Sequence, residues 1–202
     1  MFNGIVEATG NIEAVHEQNG CRYFTLSSKK LFDEGMAHDL KVDDSISVNG
    51  ICLTVTKKQP NTFDVTAVPE TLRLTNLQFL TPGSRVNLER AMLSNSRISG
   101  HYVQGHVDAL GEILTIQHEG DALLVKIGMP ASLANYIVNK GYITLDGMSI
   151  TVIRAEKEWF TVTFIPHTQK ATIVSHYNVG TPVNIEVDIL GKYVEKILGA
   201  RQ

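Results

Sequence analysis

Cysteine is scarce in this 202-residue sequence, where only Cys21 and Cys52 occur. Their spacing fits neither a zinc ribbon nor a disulfide framework, so a reducing compartment is the simpler setting. Long apolar runs are missing too. None approaches the ~20 residues that a membrane-spanning helix needs. The stretch Met1 to Val15 has no basic opening, and Glu7 interrupts its short apolar segment, so it does not read as a signal peptide. A cytoplasmic protein is expected. Charge of one sign is also lacking. The formal net charge of -3 gives no reason to expect a nucleic acid or a membrane as partner. What remains is an ordinary globular composition, 43% hydrophobic and 19% charged, in a chain long enough for one large domain or two small ones.

Two small domains are indicated by an internal repeat. Ser47-Val-Asn-Gly-Ile-Cys-Leu-Thr-Val55 reads like Thr144-Leu-Asp-Gly-Met-Ser-Ile-Thr-Val152, at an offset of 97. The same offset carries Phe63 onto Phe160, Pro69 onto Pro166, Thr71 onto Thr168, Asn87 onto Asn184 and Glu89 onto Glu186. Coincidence would not hold register through loops. The starts of the halves match at an offset of 101, Gly4 to Gly10 resembling Gly105 to Gly111. The four-residue difference is expected to be absorbed between Gln18 and Ala37. Ser94 to Gly100 is polar and reads as the linker. The expected units are 1–96 and 97–188, followed by a tail, 189–202.

Each unit favours strands. Asn49-Gly50 and Asp146-Gly147 stand between alternating residues, a strong signal for a tight hairpin. Phe63 to Val68, Trp159 to Ile165, Arg85 to Arg90 and Pro182 to Asp188 alternate as half-buried strands do. About six short strands per unit suggest a small closed barrel, which leaves no sheet edge exposed. One helix per unit is expected, at Pro130 to Asn139 with Leu133, Ile137 and Val138 on one face, and less clearly at Ser28 to Met36. The tail has apolar pairs at 189/190, 193/194 and 197/198, a helical stripe. Such a stripe packs on another subunit or on the chain's own barrel.

These segments carry a resemblance. Met1-Phe-Asn-Gly-Ile-Val-Glu7, Val48 to Val55, Glu70 to Asn76 and Val86 to Arg90 resemble the riboflavin synthase family. So do Gly100-His-Tyr-Val-Gln-Gly-His-Val-Asp108, Lys140 to Val152, Ile165 to Thr168 and Val183 to Asp188. The matches run in order along nearly the whole chain. The resemblance implies an all-β fold with a few helices: two tandem six-stranded Greek-key barrels plus a C-terminal helix. It implies a homotrimer, with sites between the N-terminal barrel of one subunit and the C-terminal barrel of its neighbour. The implied reaction is dismutation of two molecules of 6,7-dimethyl-8-ribityllumazine, with no metal and no cofactor. Association with lumazine synthase is a further expectation. Asn3 departs from the family's usual Thr, and Gln169 and Ile173 to Asn178 depart from its usual pattern after the second Pro-x-Thr.

The repeat suits that chemistry, since two copies of one substrate need two similar seats. Fixing two reactants in one geometry contributes up to ~7–11 kcal/mol in ideal cases. Donor and acceptor need different treatment, so mismatched positions are where chemistry is expected. Cys52 aligns with Ser149, beside Thr54 and Thr151, and both are read as lining the site rather than as small core residues. His106 aligns with Ile5 and is a candidate base for the acidic C7 methyl of the lumazine. Ser45 aligns with Tyr142 and could hold the water that adds to the acceptor. Lys140 could reach a neighbour's ligand, and Asp188, aligned with Ala91, could bind ribityl hydroxyls or cap the tail helix. His106, Cys52, Ser45 and Asp188 are thus the candidate catalytic residues. His101, nearer the linker, is read as structural.

Substrate contacts are expected in matched segments, which could alternatively be plain turns. They are Gly4, Ile5 and Val6 with Gly105, His106 and Val107, then Cys52, Leu53 and Thr54 with Ser149, Ile150 and Thr151. The paired loops add Thr66, Ala67, Val68, Pro69, Glu70 and Thr71, with Thr163, Phe164, Ile165, Pro166, His167 and Thr168. Lys140 completes the set. The strongest rival reading is a non-catalytic antenna protein that holds a lumazine or flavin. A flavin-reductase barrel is weaker, because no G-x-G-x-x-G follows a strand.

Overall fold

The computed structural model describes residues 1–33 and 39–199. Twelve strands form two closed antiparallel barrels. The first contains β1 (Ala8–Gln18), β2 (Cys21–Ser27), β3 (Ser45–Val48), β4 (Ile51–Lys58), β5 (Thr62–Ala67) and β6 (Arg85–Arg90), paired in the order β1-β2-β5-β4-β3-β6. The second repeats that order with β7 (Ala109–Glu119), β8 (Ala122–Gly128), β9 (Tyr142–Leu145), β10 (Met148–Ala155), β11 (Trp159–Phe164) and β12 (Pro182–Val187).

Alternation builds each core. In β5, Phe63, Val65 and Ala67 point inward, and in β11 Phe160, Val162 and Phe164 do the same. Each of the buried Phe and Val side chains is worth roughly 1.5–3 kcal/mol. Irregularities repeat as well. A bulge interrupts β1 between Ile12 and Ala14 and β7 between Ile113 and Thr115, while β4 and β10 are bulged at Val55/Lys57 and Val152/Arg154. The first pair sits 101 apart and the second 97. Because β2 and β8 still keep the larger offset, the four-residue shift falls after Ser27, within 28–44.

The helices are short. Lys29–Asp33 is α1, Pro69–Leu74 is α2, Pro166–Ala171 is α3 and Ile189–Gly199 is α4. The helix expected at Pro130 to Asn139 is instead a 3₁₀ turn over Ala131–Tyr136. Its connection must bury both Leu133 and Ile137, and Ile137 does so by leaving the turn in an extended conformation, which exposes Val138. Of the helix expected over Ser28 to Met36, Glu34, Gly35 and Met36 lie outside the described residues. No described helix is long and apolar enough to cross a membrane.

The barrels meet through their hairpin turns. Asn49 and Gly50, like Asp146 and Gly147, have positive φ at both central positions, as a type I′ turn requires. A Cβ on Gly50 would lie 2.5 Å from the Gly147 nitrogen, so only glycine permits this approach. Around the turns runs a buried polar network. The Asp146 carboxylate accepts from Asn76 Nδ2, the Asn184 backbone and the Tyr177 hydroxyl. Asn184 Nδ2 donates to Asn49 O, and Asn87 Nδ2 donates to Asp146 O, each crossing between halves. Burial pushes the Asp146 carboxyl up to about 7, against the bonds it accepts.

Candidate active site

The decisive local feature is an exchange of arms. Residues 1–7 precede the first barrel and 102–108 precede the second, and Phe2 pairs with Val103 where they cross. Each arm is held by the last strand of its own barrel. Glu89 on β6 accepts from the Asn3 and Gly4 backbone, and Glu186 on β12 accepts from Gln104, Gly105 and His106. Each arm then docks on the other barrel. The Ser149 nitrogen donates to Gly4 O at 2.7 Å, and the Cys52 nitrogen donates to Gly105 O at 2.9 Å. Val6 packs against the second core and Val107 against the first.

Glycine is required at both crossings. Gly4 and Gly105 have φ of 73° and 80°, and a Cβ would fall 2.6 Å from the Cβ of Ser149 or Cys52. Burial raises the pKa of both holding carboxyls, Glu89 to about 7, and their backbone donors work against that rise.

The arms bring the sequence candidates into two groups. One joins Cys52, Leu53 and Thr54 on β4 to Gly105, His106 and Val107. The other joins Ser149, Ile150 and Thr151 on β10 to Gly4, Ile5 and Val6. Antiparallel pairing of β4 with β5, Val55 opposite Val65, brings Thr66, Ala67 and the start of α2 to the same end as Cys52. Pairing of Val152 with Val162 does so for Thr163, Phe164 and the start of α3. Val68, Pro69 and Glu70 are exposed and Thr71 is half-buried; Ile165, Pro166 and His167 are exposed and Thr168 is half-buried. Leu53, Ala67 and Phe164 turn their side chains into the cores, leaving only their backbone for any ligand contact.

The remaining candidates scatter more widely. His106 is exposed and its backbone is anchored by Glu186. Ser45 opens β3 opposite Thr54, and with Ile5, Glu89 and Arg90 it lines a cleft of about 640 Å³. Lys140 is exposed at a turn with φ of 65°, its backbone N–H donating to Val152 O. Asp188 follows β12 and its Oδ1 accepts from Leu190 N at the start of α4. Sequence reasoning missed Glu89 and Glu186 as arm holders. Their signal was present, a matched acid inside an apolar strand.

A family model described as "Lumazine binding domain" matches residues 3–91 and 104–188. The chain belongs to the lumazine binding domain family. Proteins named riboflavin synthase are its relatives. That of Bacillus subtilis is 43% identical over 98% of this chain and 90% of its own length. That of Mycobacterium tuberculosis is 45% identical over 98% of both, and that of Schizosaccharomyces pombe 42% over 99% and 95%. Among solved structures, LumP complexed with riboflavin has the same fold, with a TM-score of 0.85 over 93% of this chain and all of its own at 21% identity. LumP complexed with 6,7-dimethyl-8-(1'-D-ribityl) lumazine gives 0.82.

Proposed function

We propose that this chain is a riboflavin synthase. It dismutates two 6,7-dimethyl-8-ribityllumazine molecules by four-carbon transfer, giving riboflavin and 5-amino-6-(D-ribitylamino)uracil. The observation that carries this reading is identity of 42–45% over at least 95% of two synthases' own lengths, joined to two closed barrels of the same strand order in one chain. LumP shares the fold at 21% identity, which supports the architecture and not an antenna role.

Each seat is built from one barrel's β4 or β10 edge and the other half's arm. The first seat offers Cys52, the paired loop at Thr66–Thr71 and His106; the second offers Ser149 and Thr163–Thr168. A lumazine ring has alternating donors and acceptors along its edge, which strand-end backbone and hydroxyls match. His106, or a water it activates, removes the C7 methyl proton from the donor. Cys52 and Ser149 line equivalent points of the two rings, Ser45 holds the water that adds to the acceptor, and Asp188 binds ribityl hydroxyls beside the Lys140 of another subunit. No metal or redox cofactor takes part.

We assign residues 1–96 and 97–188 as the seat-bearing units and 189–202 as the oligomerisation segment of a cytoplasmic homotrimer. No residue of α4 is buried, and Leu190, Tyr193, Val194, Ile197 and Leu198 are each at least 56% exposed, a face suited to a partner subunit. Association with lumazine synthase would deliver the substrate directly. The test is to mix the protein with 6,7-dimethyl-8-ribityllumazine and no added cofactor. Riboflavin should appear at half the rate of substrate loss; a stable fluorescent complex without turnover would sink the reading in favour of an antenna.

A further inference from the structure

Several mismatches between the halves gather around Ser149. Tyr142 opens β9, and on the same strand Thr144 stands opposite Ser149 of β10. The His101 ring lies across this pair of hydroxyls. Its Nδ1 is 2.7 Å from Ser149 Oγ and its Nε2 is 3.2 Å from Thr144 Oγ1. The ring stacks on Tyr142, with centroids 5.2 Å apart and planes 9° from parallel. Its residue is only 6% exposed. Gly100 and Gly4 close over Ser149 from the other sides, where a Cβ on Gly100 would come within 2.9 Å of Ser149 Oγ.

In the first barrel the same register sets Ser47 opposite Cys52, and Ser45 stands where Tyr142 does. Among the described residues no imidazole bonds that pair. One seat therefore has a thiol beside a serine, and the other has a hydroxyl tied to a buried ring.

A neutral imidazole has one N–H and one lone pair in its plane. Bridging two hydroxyls, it must donate to one and accept from the other. The tautomer therefore decides which atom Ser149 has left for a ligand. If Nδ1 accepts, the serine proton is used and its lone pairs face the seat. If Nδ1 donates, the serine proton is available. Burial lowers the His101 pKa and keeps the ring neutral, while nearby Asp188 works in the opposite direction.

We propose that His101 is a positioning residue of the second seat, fixing the rotamer and hydrogen-bonding sense of the Ser149 hydroxyl that a ribityllumazine or flavin ring meets there. This rests on the two-seat reading above, and it assigns a task to a histidine whose sequence position suggested a structural one. Positioning through a bridged hydroxyl makes the two seats unequal without any group touching the reacting atoms.

Riboflavin is the equilibrium probe, titrated into the full chain by quenching of its fluorescence, alongside turnover of 6,7-dimethyl-8-ribityllumazine. His101→Phe keeps the stack on Tyr142 and removes both bonds. It should weaken one of the two binding phases about tenfold, raise KM by a similar factor and lower kcat less than about threefold. Ser149→Ala should shift the same phase, and the double variant should lose no more than either single one. His101→Asn, which places a polar atom near the Nδ1 position, should restore most of the loss, and His101→Gln, which reaches the Nε2 position, should not. If His101→Phe does not fold, the Asn and Gln pair still decides. Equal weakening of both phases, equal rescue by Asn and Gln, or additive losses with Ser149→Ala would overturn the proposal. A wild-type protein that binds riboflavin but makes none would defeat the proposed reaction alone, and the titration would still test His101.

Discussion

The first and second barrels share their strand order, their two bulges and a buried glutamate that holds the arm, yet part company around the arm contacts. Glu89 and Glu186 do one job twice, as do Gly4 and Gly105. By contrast Cys52 corresponds to Ser149, Ser45 to Tyr142, Ile5 to His106 and Asn49 to Asp146 in the repeat. What stays alike is what the backbone needs: turns, bulges and the docking of each arm on the opposite barrel. What differs is the set of side chains that titrate, donate or accept. Duplication thus supplies the frame twice, and divergence at a few positions makes two unlike chemical environments from it.

The most damaging way to break the comparison is at the point where the halves touch. Gly50→Val puts a β-branched residue at positive φ with its Cβ against the backbone of Gly147. Strain and overpacking together should cost about 4 kcal/mol. The melting temperature should fall by roughly 10 °C. Gly147→Val should do nearly the same, since its Cβ would lie 2.8 Å from Gly50 N. Calorimetry showing one variant harmless would mean that the turns are not equivalent.

Asn49 against Asp146 gives the next test. A carboxyl raised from 3.8 to about 7 keeps, in the folded state, a proton that the unfolded chain releases. Its share of stability is therefore full below pH ~4 and is lost as pH climbs through about 7, a loss of about 4 kcal/mol. Glu89, raised from 4.5 to about 7 by burial, slopes the same way. Asp146→Asn makes the turn like its twin, and Tyr177 and Asn76 can still bond the amide. Denaturant melts from pH 4 to 8 should show a flatter profile for the variant, and greater stability than wild type at pH 8. An unchanged slope would place the titration elsewhere.

His106 against Ile5 sharpens the comparison at the level of turnover. His106→Ala should slow riboflavin formation about 100-fold, which is ~2.7 kcal/mol of barrier. Riboflavin affinity should change only a few-fold. Unchanged turnover would remove His106 from the mechanism and leave the arm with a purely architectural role.

The repeat made the fold legible. Asn49-Gly50 and Asp146-Gly147 marked tight hairpins because only such residues take positive φ cheaply, and alternating strands such as Phe63 to Ala67 disclosed which face is buried. Candidate site residues could be named from the sequence, but their grouping could not. Nothing in the spacing of Gly4 and Ser149 says that one half's arm seats on the other half's barrel; that contact joins residues 145 positions apart. Polar partners were the least legible. Asn76 meets Asp146 only because two barrels are docked, and His101, near the linker, read as merely structural until the pairing of Thr144 with Ser149 placed two hydroxyls beside it. The segment Pro130 to Asn139 misled because its helical spacing competed with the need to drop Ile137 into the core.

Cys52 against Ser149 should give the smallest effect. Cys52→Ser makes the first seat resemble the second in the atom it presents, but it does not add the ring that holds Ser149. No side-chain base is bonded to the Cys52 thiol among the described residues, so a thiolate nucleophile has no visible means of activation. The serine hydroxyl can bond Ser47 across the strand pair, leaving its rotamer less fixed than that of Ser149. Turnover should therefore drop less than about tenfold, and riboflavin affinity at the first seat should shift by under ~1 kcal/mol. A fall of a thousandfold or more in kcat, with binding intact, would show that sulfur does covalent work there, and the two seats would then differ in reaction chemistry rather than in hydrogen bonding.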